Sequence, residues 1–207
     1  MKVAQNKSEK LKKLASISTG YTFREKVTDA LGGEVWVIQM RDVHSEPPYM
    51  RRDEMVRIDR EAVRSSNCLE PSDILVVSRG FRFQVVTIGE EFAGAIASSA
   101  FLVIRCDTKK LLPDYLAWYL NQPQYHQRLL ALGSTTSGVF VVRKQQLENL
   151  EIHLPPIREQ VKVAELAKLH EKESVLYRTI AEERDKLVNA SLQSFINPKS
   201  IKQNGPV

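Results

Sequence analysis

Cysteine is scarce in this chain of 207 residues: Cys68 and Cys106 lie far apart, with no Cys-x-x-Cys and no Cys/His cluster. That excludes a disulfide framework and a zinc site of ordinary spacing, and it fits a reducing cytoplasm. The four histidines, His44, His126, His153 and His170, are dispersed without a His-x-x-x-His pair, so metal-assisted chemistry lacks ligands. Neither a serine nucleophile elbow nor the acidic pair with a following lysine of metal-dependent nucleases is present. No cofactor is called for, and the chain by itself reads as non-catalytic. Long hydrophobic runs are missing too. The lysine-rich start, Met1 to Lys13, leads into no apolar stretch of signal-sequence length, and no segment approaches a membrane span. A soluble cytoplasmic protein with no membrane partner is the expectation. No internal repeat is visible, and residues 198–207 are expected to form a disordered tail.

Two short motifs invite catalytic readings and fail on their decisive positions. Glu46-Pro47-Pro48-Tyr49 is similar to the (Asn/Asp/Ser)-Pro-Pro-Tyr signature of amino-methyltransferases. A glutamate stands where the target amine is held, and no glycine-rich strand-turn-helix accompanies it. Gly133 to Gly138 has P-loop spacing, but Val139-Phe140 replaces the lysine and hydroxyl residue that hold phosphate and magnesium. Ser134, Thr135 and Thr136 at this loop would still suit hydrogen bonds to DNA phosphates, and a plain connecting loop has the same composition.

What is present is one good core's worth of apolar residues, 43% of the chain, and an excess of positive charge, +5. With a pI near 9.2, the balance leans toward a polyanionic partner. Short β-rich runs alternate with turn signals: Val35 to Ile38, Met55 to Ile58, Asp73 to Ser78 with Phe83 to Ile88 as its returning partner, Ser99 to Arg105 and Val139 to Val142. Ser8 to Ala15 reads as a short helix, Arg41 to Arg52 as a surface loop and Arg79 to Arg82 as a tight basic-aromatic turn. Pro113 opens a helix that breaks before Pro123 and resumes to Leu132; its aromatic stripe is a core face. Arg143 to Leu150 is a further short helix. These elements predict an α+β fold over 1–154, with a curved, mostly antiparallel sheet.

The rest of the chain hangs on one element. From Pro156 no glycine or proline appears until Asn197-Pro198, so 155–197 is predicted as a single helix about 60 Å long at 1.5 Å per residue. Leu166, Leu169, Leu176, Ile180, Leu187 and Ala190 are spaced by 3, 7, 4, 7 and 3 residues, a heptad seam interrupted by Glu173 and Glu183. Charged residues fill the other faces. A terminal helix folded back on its own domain would not need so long a stripe, and a partner helix is the better reading.

The basic side chains collect at predicted strand ends. Arg24 and Lys26 follow the Gly20 turn, Arg41 and His44 follow a strand, Arg51 and Arg52 sit in the proline loop, and Arg79 and Arg82 flank Gly80-Phe81. Each alone is an ordinary solvated charge. As a set they favour a face that grips phosphate and reads guanine.

The order of features resembles the specificity subunit of type I restriction-modification systems. The residues that carry the resemblance are Ser18-Thr19-Gly20-Tyr21-Thr22-Phe23, Pro71 to Gly80, Tyr115 to Asn121, Gly133 to Thr136, and Leu147 to Gln160 running into the long helix. Leu154-Pro155-Pro156-Ile157-Arg158-Glu159-Gln160 is its most specific part. Ser72 departs from the pattern, which usually has glycine there. The resemblance implies one target-recognition domain with its spacer helix, where family members usually carry two of each. It implies double-stranded DNA as ligand, and methyltransferase and restriction subunits as the catalytic partners. A self-complementary seam then favours a homodimer reading an interrupted palindrome, with half-site centres no more than roughly 18 base pairs apart. Two other classes compete: an interaction or decoy subunit that docks through its helix without binding DNA, and an enzyme in its own right, against which the missing motifs speak.

Overall fold

The computed structural model describes residues 8–44, 49–50, 52, 55–81, 83–132, 134–136 and 139–196. Arg51, Arg82 and the expected disordered tail lie outside these residues, as do positions 45–48 of the proline motif. In chain order the strands of the first half are β1 Ser8–Lys10, β2 Ala15–Thr19, β3 Val35–Ile38, β4 Val43–His44, β5 Tyr49–Met50, β6 Val56–Ile58 and β7 Ile74–Val77. They are followed by β8 Arg79–Gly80, β9 Val85–Thr87, β10 Ile96–Ala97, β11 Phe101–Cys106, helices α1 Pro113–Leu120 and α2 Pro123–Leu132, and β12 Ser134–Thr136. The chain continues through β13 Val139–Val141, α3 Lys144–Glu148, β14 Glu151–His153 and α4 Ile157–Ile196. It forms two compact units, Met1–Glu165 and Leu166–Val207.

In the first unit the centre is an antiparallel sheet in the order β2-β11-β7-β9. All four residues of β7, Ile74-Leu75-Val76-Val77, are buried, which is what an unbroken apolar run means in a strand covered on both faces. Smaller sheets surround it: β10-β3-β6, β12-β13-β8, and the pairs β4-β5 and β1-β14. Apart from β10 beside β3, every named pair is antiparallel. An α+β fold with mostly antiparallel sheets and a long C-terminal helix is what the sequence led us to expect.

Four local expectations are corrected. Ser8 to Ala15 is β1, a 3-10 turn at Leu11–Lys13, and the start of β2. Pairing with β14 decides this: Ser8 lies opposite His153, and the Leu11 amide donates to the Leu150 carbonyl at 2.9 Å. Tertiary pairing overrides the helical propensity of the lysines and leucines, while Leu11 and Leu14 remain fully buried. The stretch from Arg41 contains a 3-10 turn at Met40–Asp42 and the paired strands β4 and β5 rather than a plain loop. Ser134–Thr136 is a strand hydrogen-bonded to β13, and Arg79–Gly80 is a strand on the other side of β13.

The motif residues acquire reasons. Gly20 passes so close to Ser98 that a Cβ would sit 2.1 Å from the Ser98 carbonyl oxygen. There the Gly20 amide donates to the Phe101 carbonyl and the Tyr21 amide to that of Ala97. Ser72 has φ +71° at the third position of a Glu70-Pro71-Ser72-Asp73 turn, whose Asp73 amide donates to the Glu70 carbonyl at 3.1 Å. Proline second and a positive φ third define a type II turn, which explains why glycine is usual at this position. Below it, Asp73 is buried and takes both Nε and Nη2 of Arg105 at 2.7 Å, while Arg105 Nη1 donates to Glu70.

The beginning of α4 is fixed from three sides. Gln160 is fully buried; its Oε1 accepts from the Leu112 amide at 2.9 Å, and its Nε2 donates to the carbonyls of Lys110 and Pro155. Stranding such groups costs about 1–3 kcal/mol each, so this one side chain firmly ties the first turn of α4 to the loop before α1. Just upstream, the Tyr115 hydroxyl donates to the His153 carbonyl, and the Tyr119 hydroxyl accepts from the His153 amide.

Replacing the strained residue should be favourable. Ser72→Gly is expected to raise stability by about 0.5–1 kcal/mol, the steric cost of left-handed backbone less the extra chain entropy of glycine. Urea unfolding reads the change as a higher midpoint at unchanged slope.

Candidate nucleic-acid interface

The site grows from the small sheet β12-β13-β8. Arg79 on β8 faces Val141 across the ladder, and Val141 in turn faces Ser134, so these three positions form one row over three strands about 4.8 Å apart. Gly80, opposite Phe140, is in the neighbouring row with Thr135. Hydrogen bonds anchor the base of β8. The Ser78 hydroxyl and amide both donate to the Ala100 carbonyl at 2.8 Å, and the Val142 amide donates to the Ser78 carbonyl at 2.7 Å. Beyond the exposed Phe81, the chain is fixed again by buried Phe83, whose ring meets Phe140 and stands edge-on to His126 at 4.7 Å. Burial holds the pKa of His126 below its usual value, so this imidazole stays neutral beneath the turn.

Gly80 makes the junction with the rest of the site. Its φ of +145° belongs to glycine, and a Cβ there would lie 3.0 Å from the sulfur of Met40. The close approach brings the Met40–Asp42 turn against β8, and with it Arg41. Asp42 is buried and occupied: one oxygen accepts from the Gln39 amide at 2.7 Å and the other lies 3.6 Å from Arg41 Nε. Arg41, next to Met40, and Arg79, next to Gly80, are both exposed, each with a planar guanidinium suited to phosphate or to the N7/O6 edge of guanine.

The remaining candidates distribute unevenly. Arg52 lies with its guanidinium 5.0 Å over the Trp36 ring, and Arg57, which the sequence did not single out, lies 4.9 Å over the same ring. Trp36 and Arg57 are register partners on β3 and β6, a fact no sequence spacing reveals. His44 is half-buried on β4. Arg24 and Lys26 are exposed in the stretch between Tyr21 and Asp29, and among the described residues no contact joins them to Gly80. The backbone of Ser134, Thr135 and Thr136 lies in the same small sheet as β8, with β13 between them. Arg105 is basic but committed: its pKa is raised chiefly by the Asp73 hydrogen bonds. Among the described residues, no three His, Cys, Asp or Glu side chains gather where a metal ion would bind. The Cys106 thiol is pushed up to about 12 by burial and stays protonated.

In the second unit Leu166, Leu169, Leu176, Ile180 and Leu187 are 62–70% exposed, and Ala190 is exposed as well. The exposed apolar surface is longer than the seam found in the sequence, since Tyr177, Val188, Leu192, Phe195 and Ile196 are also uncovered.

The family model described as type I restriction modification DNA specificity domain matches residues 5–183. The chain belongs to this family. Solved structures agree in fold. The S subunit of a type I restriction-modification system from M. genitalium superposes with TM-score 0.64 at 14% identity, covering 97% of this chain and 48% of that one. The HsdS subunit from Thermoanaerobacter tengcongensis gives TM-score 0.57 at 16% identity, with 97% and 51% coverage. A chain from a structure of type I system assembly and conformational transition gives 0.61 at 18% identity, with 89% and 43%. The chain therefore spans about half the length of each of these specificity-family relatives. No curated protein matches it. Among the described residues, no helix is long and apolar enough to cross a membrane.

Gly80 is the position to perturb. Gly80→Ala should misplace Met40 or the β8 backbone, lower stability by about 1 kcal/mol or more, and move the Arg41 and Arg79 resonances together. The heteronuclear amide spectrum of the variant checks this. Shifts confined to Gly80 and its chain neighbours would contradict the described contact.

Proposed function

We propose that the chain is the DNA-reading specificity subunit of a type I restriction-modification system, taking one half of a bipartite target on the surface that Arg41 and Arg79 share. What supports the reading is the contact at Gly80: Met40, the neighbour of Arg41, packs on the residue after Arg79, two exposed arginines 38 positions apart in the sequence, and the acidic Asp42 beside them is buried and hydrogen-bonded. Phosphate contacts by such side chains set register, and base-edge contacts set sequence. Catalysis belongs to the partners in this reading. A methyltransferase subunit modifies the target and a restriction subunit cuts, while this chain positions them and needs no cofactor of its own.

The second part of the proposal concerns α4. The uncovered seam from Leu166 to Ala190 is long, nearly continuous and self-complementary, which favours a second copy of the same chain in an isologous pair. Two copies present two recognition units, so the target is an interrupted inverted repeat. The domain division at 154/155, with 155–197 as spacer and dimerisation helix, describes the same proposal in terms of the chain.

Selection from a randomised duplex pool, by the full chain with a methyltransferase partner present, tests the reading. Enriched duplexes should share an inverted repeat with half-site centres within roughly 18 base pairs. An asymmetric target would overturn the symmetry, and no enrichment at low salt would overturn DNA reading in favour of a helix-docking decoy. Sedimentation at micromolar concentration should give twice the 23.6 kDa of one chain, and Leu176→Glu with Leu187→Glu should give 23.6 kDa. An unmodified chain sedimenting as a monomer would contradict the paired helix.

A further inference from the structure

Phe81 is 79% exposed, yet the turn that carries it is firmly held on both sides. Arg79 and Gly80 are hydrogen-bonded into the β8–β13 ladder, and Phe83 is buried between Phe140 and His126. The ring is therefore displayed by fixed backbone. A lone surface phenylalanine needs no explanation by itself. This one stands between Arg79 and Arg82 in sequence, on a glycine whose φ of +145° turns the chain at that point, against the Met40–Arg41 segment. A purely apolar protein partner would bury the exposed Arg79 guanidinium unpaired, whereas DNA neutralises it.

The geometry of the ligand narrows the role. Phe81 directly follows β8 of the small antiparallel sheet β12-β13-β8, and an antiparallel ribbon enters the major groove, about 12 Å wide, more readily than the minor groove of about 6 Å. On the base edges of the major groove the apolar feature is the C5-methyl group of thymine. We infer that Phe81 is a specificity-determining residue that packs on a thymine methyl group in the major groove, next to the base or phosphate held by Arg79. The inference rests on the DNA-reading function proposed above, and it assigns an apolar contact to a surface otherwise described by its charges.

Uracil substitution isolates that contact, because it removes the methyl group and leaves the pairing intact. A duplex recovered by the full chain from the randomised pool is resynthesised with each thymine changed to uracil in turn. At one thymine of a half-site the change should weaken binding of the unaltered chain about fourfold, the effect of uncovering one methyl-sized group. Phe81→Ala should bind the thymine duplex more weakly by at least that factor and be indifferent to uracil at the same position. Phe81→Leu should keep part of the sensitivity. The melting temperature of both variants should be unchanged, because the ring is in solvent. If no thymine is sensitive, or if the sensitivity survives in Phe81→Ala, the inference is wrong although DNA reading stands. Phe81→Ala that binds DNA normally but loses the methyltransferase subunit would make the residue a protein contact and also overturn it. Failure of the unaltered chain to enrich any duplex would remove both the inference and the function it rests on.

Discussion

A missing side chain governs the surface around Arg79. At Gly80 the backbone adopts φ +145° and Met40 comes within van der Waals reach of where a Cβ would be. Any other residue would need strained backbone and would shift the Met40 side chain. Two hydrogen-bonded structures meet at this point: the β12-β13-β8 sheet, held to the central sheet through Ser78 and Ala100, and the turn capped by Asp42. The packing of Met40 on Gly80 joins the two, and the acidic side chain beside it, Asp42, is buried and hydrogen-bonded.

A different constraint governs the long helix. Gln160 ties its first turn to the loop before α1 by three hydrogen bonds, and the two tyrosines of α1 hold His153 immediately upstream. These bonds hold residues 153–160 to the rest of the first unit. In the proposed pair of chains the exposed leucines further along would supply association, because burying a leucine in a paired seam gains about 1.5–3 kcal/mol over leaving it in water.

Much of this was legible in the sequence where a local rule suffices. The apolar run at Ile74 to Val77, the prolines opening α1 and α2, and the uninterrupted stretch to Ile196 each produce one element for one physical reason, and those elements are found. The departure at Ser72 was visible as well, and the left-handed φ supplies its meaning. What could not be read depends on which strands pair. Ser8 to Ala15 has helical composition but is captured by β14, and Gly133 to Gly138 has loop composition while its middle pairs with β13. Of the basic set, Arg41 and Arg79 are linked through the close approach of Met40 to Gly80. Arg52 is drawn to Trp36 along with Arg57, whose part was hidden in the β3–β6 register.

The central claim is that Arg41 and Arg79 act on one polyanion from one surface. The most direct measurement is the salt dependence of DNA affinity for the full chain, for Arg41→Ala, for Arg79→Ala and for the double variant. The account predicts that affinity falls steeply with salt. An arginine on phosphate lowers the slope by about 1 when removed, and an arginine on a base edge leaves the slope but costs about 1–3 kcal/mol and relaxes sequence preference. A double variant with the affinity, slope and preference of the unaltered chain would contradict it.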